Sequence, residues 1–88
     1  MSATVELLRA ALQALTPEHL DIQDDSALHA GHAGARDGGG HYTLTIVSAR
    51  FQGLSRVHRH RLIYETLGDL MQTKVHALAI RAFTPEEI

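Results

Sequence analysis

The 88-residue chain contains no cysteine. That excludes a disulfide framework, a thiol nucleophile and a thiolate metal site, so soft-metal chemistry here must rely on imidazole or on sulfur from another molecule. Lysine is nearly absent as well, with Lys74 the only one beside seven arginines. The net charge of −2 leaves no overall surplus of positive charge of the kind a general nucleic-acid binder carries, although a local basic patch is compatible with it. No run approaches the ~20 apolar residues that span a bilayer. The first residues, Met1 to Glu6, lack both a basic segment and an apolar signal core, which predicts a cytoplasmic protein with no membrane association. What remains is ordinary for a globular domain, at 44% hydrophobic and 20% charged residues, and the length allows a single domain over 1–88. Histidine is the exception: seven residues, roughly three times ordinary usage.

Hydrophobic periodicity predicts the elements. Val5, Leu8, Leu12 and Leu15 recur at helical spacing, giving a first helix from Ser2 to Leu15 that ends before Pro17, which disfavours helical geometry at Thr16. Leu20 and Ile22 alternate with polar neighbours in a short strand that ends at Asp25-Ser26. Residues 27–40 hold five of the seven glycines and read as a long flexible loop rich in Gly and His. Residues 41–48 alternate Tyr42, Leu44 and Ile46 with β-branched partners and form the second strand. After a connection over 49–54, Ser55 caps a helix running to Met71. On it Val57, His60, Ile63, Tyr64, Leu67, Leu70 and Met71 fall within an arc of about 140°. Val75 to Ala82 alternates as a third strand, and Thr84-Pro85-Glu86 opens a terminal turn. The order is αββαβ. A helical crossover makes strands two and three parallel, strands one and two form an antiparallel pair, and a three-stranded mixed sheet carries its helices on one face, an α+β fold.

Two groups of residues carry candidate chemistry of their own. His29 and His32, spaced i and i+3 in the loop, could form a metal pair with His41, at the entropic cost of ordering the loop. Arg56, Arg59 and Arg61 form a basic run at the start of the second helix that could contact nucleic-acid phosphate, with Arg56 and Arg59 equally able to pair with carboxylates. On the helical wheel His60 lies mid-arc and reads as a core residue, whereas His58 and Arg61 point outward. Gly31-His32-Ala33-Gly34 matches the spacing of a nucleic-acid-clamping Gly-x-x-Gly loop but lies between strands rather than between helices. Carboxylates are scattered over turns and strand edges with no nucleophile and base pattern, so no enzyme activity is expected.

Several stretches together resemble the BolA family. They are Asp25-Ser26 with His29-Ala30-Gly31-His32, Gly40-His41-Tyr42, the run Phe51-Gln52-Gly53-Leu54-Ser55-Arg56-Val57-His58-Arg59-His60-Arg61-Leu62-Ile63-Tyr64, and Val75-His76-Ala77-Leu78-Ala79-Ile80 followed by Thr84-Pro85-Glu86. The resemblance covers nearly the whole chain, departing at Asp24-Asp25-Ser26, where many relatives have Asp-Glu-Ser. It implies a fold related to the class II KH domain. It also implies a heterodimer with a monothiol glutaredoxin, in which a 2Fe-2S cluster is held by a glutaredoxin cysteine and glutathione on one side and by histidine of this chain on the other. The family's principal ligand maps onto His76 and its second candidate onto His41. The free protein would be a monomer or weak homodimer. DNA-binding regulation, also a role of BolA-type proteins, is the rival expectation. Read from residues alone, His76 shares its parity with Leu78 and Ile80 and could equally pack at the margin of the core.

Overall fold

The structure, a computed structural model, describes residues 3–26 and 40–88. Helix α1 (Ala3–Leu12) continues into a 3-10 turn (Gln13–Leu15) and is followed by strands β1 (His19–Asp24) and β2 (Gly40–Val47). A 3-10 turn (Ala49–Phe51), helix α2 (Arg56–Leu67), the short helix α3 (Leu70–Thr73), strand β3 (Val75–Phe83) and a closing 3-10 turn (Pro85–Glu87) complete the chain. The expected order holds with one helix added. Gly40 belongs to β2 and not to the connecting loop, whose residues 27–39, including His29 and His32, lie outside the described residues.

The strand order is β1-β2-β3, antiparallel between β1 and β2 and parallel between β2 and β3, as the crossover requires. Alternation along β2 sends Tyr42, Leu44 and Ile46 inward, all at most 6% exposed, against Leu8 and Leu12 of α1 and Ile63 and Leu67 of α2. The opposite sheet face carries half-buried His41, Thr43 and Thr45 between exposed Asp21 and Gln23 on β1 and exposed Ala77, Ala79 and Arg81 on β3. Helices therefore cover one face and leave the other open, as expected.

The second helix differs from the expected one in length and in rotation. It stops at Leu67 because Gly68 takes φ +54° and its amide donates to the Tyr64 carbonyl at 2.9 Å, so Leu70 and Met71 belong to α3. Its buried positions are Ile63 and Leu67, flanked by partly buried Leu62, while Val57 and Tyr64 are 64% and 43% exposed and His60 is half-buried. The tyrosine ring and the small valine blurred the wheel: both count as apolar, yet both tolerate solvent, and the sheet selected the Ile63–Leu67 line.

A break in register sets the geometry at the start of β3. Gly40 lies opposite Val75, but His41 lies opposite Ala77, so β3 holds one extra residue, His76, as a β-bulge. Val75 and Leu78 consequently both turn toward the helices, whereas His76 and Ala77 are both exposed. Gly40 faces the same interior as Tyr42, whose ring lies where a Cβ at position 40 would sit. Gly40→Ala should therefore push that ring aside and cost about 1–3 kcal/mol, read as a lower urea midpoint at unchanged slope. An unchanged midpoint would show that the ring has room to move.

Candidate functional site

His41 and His76 come together at the end of the sheet where β2 and β3 begin. Their ring centroids are 5.0 Å apart with the planes at 46°. Two imidazoles bound to one tetrahedral metal at nitrogen distances of about 2.0–2.1 Å would place their centroids about 5 Å apart, the separation found here. His76 is exposed and His41 half-buried, leaving an approach from the open side of the sheet. The bulge produces this arrangement: regular pairing would have sent His76 inward with Leu78 and Ile80. Among the described residues, no group of three His, Asp or Glu side chains converges on a point that could hold a metal. A cation bound by the pair would need its other ligands from elsewhere.

The segment after β1 anchors His41 from the other side. Its amide donates to the Ser26 hydroxyl at 3.1 Å, and its carbonyl accepts from the Asp25 amide at 2.7 Å. The Asp25 carboxylate in turn accepts from the Thr43 hydroxyl at 2.6 Å, and the Ser26 amide donates to the Asp24 carboxylate at 2.9 Å. Asp24-Asp25-Ser26 thus fastens the backbone that presents the imidazole. In the sequence this role is signalled only by a short polar turn ending β1 just where β2 must start.

The three arginines of the basic run separate in space. Arg56 and Arg61 are exposed on α2, together with His58. Arg59 is committed within the chain: its side chain is 13% exposed, it pairs with both carboxylate oxygens of Glu87 at 2.7 and 3.0 Å, and it donates to the carbonyls of Leu54 and Ala82. This bidentate pair closes the C-terminal turn onto α2. Glu87 also accepts from the Thr84 amide at 2.7 Å in a capping box. Hydrogen bonding from Arg59 holds the Glu87 carboxyl down at about 2, and the same bond raises the Arg59 guanidinium. A depressed carboxyl pKa adds stability that is complete above the ordinary value of 4.5 and is lost as pH falls toward about 2. Arg59→Gln should return the Glu87 titration, followed by carboxyl-carbon NMR, toward 4.5 and flatten the acid limb of the stability profile in that window.

Similarity to known proteins agrees with this architecture. A model of the BolA-like protein family matches residues 12–87. The chain is 44% identical to BolA-like protein 1 of Mus musculus, over 91% of its own length and 57% of the relative's. It is 42% identical to the DNA-binding transcriptional regulator BolA of Escherichia coli, over 93% of its own length and 72% of the relative's. The solved BolA domain of SufE1 from Arabidopsis thaliana superposes with a TM-score of 0.87 at 43% identity, covering 100% of this chain and 99% of that domain. The chain spans just over half of the mouse relative and about a fifth of the Arabidopsis SufE-like protein 1. With a family match over most of its length and a matching αββαβ core, the chain belongs to the BolA-like protein family.

Proposed function

We propose that the protein is a cytoplasmic adaptor that binds a monothiol glutaredoxin and co-ligates a bridging 2Fe-2S cluster through His76 and His41, in iron-sulfur trafficking or iron sensing. The observation that carries this reading is the 5.0 Å approach of two imidazoles, one of them exposed. The chain has no thiolate, so cysteine and glutathione sulfur would come from the partner's side. When bound, the cluster supplies an exchangeable iron centre. His76 and His41 are the residues that would hold its iron, Ser26 and Asp25 keep the His41 backbone in place, and the bulge keeps His76 clear of the core. Neutral imidazole in place of thiolate removes negative charge from the cluster's surroundings, which favours a higher potential and easier release.

Anaerobic co-purification with a monothiol glutaredoxin tests the assignment. Wild-type protein should yield a heterocomplex with visible absorption and circular dichroism distinct from those of the glutaredoxin homodimer. His76→Ala should abolish that signature, and His41→Ala should weaken or shift it. An unchanged spectrum for His76→Ala would remove His76 as a ligand.

DNA-binding regulation is the second reading, supported by the similarity to the Escherichia coli regulator and by the exposed cations of α2. Here Arg61 and Arg56 would meet phosphate, while Arg59 is already satisfied by Glu87. Arg61→Ala should then lower the slope of log affinity against log salt by about one, with His76→Ala without effect. Equal salt slopes for wild type and Arg61→Ala would exclude that contact.

A further inference from the structure

A groove of about 670 Å3 lies between the start of α2 and the outer edge of β3, apart from the histidine pair. Its volume is within the range of about 300–1,000 Å3 typical of binding sites. One wall is Leu54, Arg56, Arg59 and His60, and the other is the unbroken run Ile80 to Phe83, with Glu87 at one end. Alternate residues of a strand face opposite sides of a sheet, so four consecutive residues can line one groove only where it opens onto the strand's edge. β3 is the outermost strand of the sheet. The Phe83 carbonyl accepts from the Ser48 amide on the β2 side, so the carbonyl of Ala82 points away from β2, and Arg59 donates to it at 3.1 Å. By the same alternation the N–H and C=O of Ile80 point out into the groove. Arg59 thus covers one end of the edge and leaves the stretch before it open.

Charge selects the occupant. Three arginines against one carboxylate give the lining a surplus of two positive charges, although the chain as a whole carries −2. Arg59 is held by Glu87, whereas Arg56 and Arg81 are exposed and flank the opening from the two walls. Ile80 to Phe83 extends over about 10 Å at about 3.3 Å per residue, room for three or four residues of a second extended chain.

We propose that this groove binds an extended acidic peptide segment of a partner protein, which adds as a strand to the edge of β3 and sets carboxylate side chains beside Arg56 on the helix side and beside Arg81 on the open face. Backbone hydrogen bonds at Ile80 give the register, Ile80 and Ala82 give an apolar floor, and the arginines select acidic over basic sequences. A nucleic-acid strand would use the same cations but has no regular ladder of backbone N–H and C=O groups with which to extend the sheet.

Fluorescence anisotropy with full-length protein tests this, using a labelled peptide of repeating Val-Val-Glu-Glu, its valine–lysine counterpart, the acidic peptide with its backbone amides N-methylated on one edge, and a ten-nucleotide oligothymidine. The acidic peptide should bind, with lysine substitution or N-methylation weakening it by at least about tenfold. Arg56→Glu and Arg81→Glu, both at exposed positions, should each weaken it by about tenfold, and the equivalent charge change Arg9→Glu on α1 should leave it within about twofold. Equal binding of the methylated peptide would overturn strand addition. Tighter binding of the oligonucleotide through Arg56 and Arg81 would make the groove a nucleic-acid surface instead. Sedimentation showing a dimer that the acidic peptide cannot dissociate would assign the edge to a second copy of the chain.

Discussion

The arrangement of the candidate site depends on a one-residue step in the parallel ladder between β2 and β3. A strand has a side-chain period of two, so an extra residue reverses the facing of everything beyond it. Here Val75 seals the core ahead of the step and Leu78, Ile80 and Ala82 pack against it afterwards, while His76 is turned out beside His41. Backbone pairing brings the two rings near each other, so their approach is set during folding.

The sheet also divides the molecule's chemistry. His41 belongs to the open face, which carries small and polar side chains, whereas α1 and α2 occupy the other face. The exposed cations of α2 are thus separated from the histidine pair by the sheet itself. Arg59 has a different part from its neighbours: by joining Leu54, Ala82 and Glu87 it ties α2, β3 and the final turn into one unit. It also forms the inner wall of the groove.

The elements whose burial repeats cleanly were legible in the sequence. Tyr42, Leu44 and Ile46 alternate on one strand, Val5, Leu8 and Leu12 recur on one helix, and the β2-helix-β3 order requires a parallel pair with both strand starts at one end. That order alone places His41 and His76 at the same end of the sheet. Less was legible where a residue suits two surroundings. Val57, His60 and Tyr64 match an apolar arc on a wheel but sit partly or largely in solvent, because the contact line of α2 was chosen by the sheet beneath it. Gly68 could have been a mild weakness within the helix; its left-handed conformation ends it instead.

Local pattern by itself determined the identity and order of the strands and main helices, the direction of each strand pair and the lack of any thiol donor, because these follow from periodicity, connection and composition. Tertiary structure alone decided that His76 faces outward, that Arg59 is bound to Glu87, and that β3 offers an edge beside α2. Each of these depends on register or on partners far apart in the chain, such as residues 59 and 87. A linear pattern carries no information about a one-residue slip between two strands, and that slip decides which face an imidazole meets.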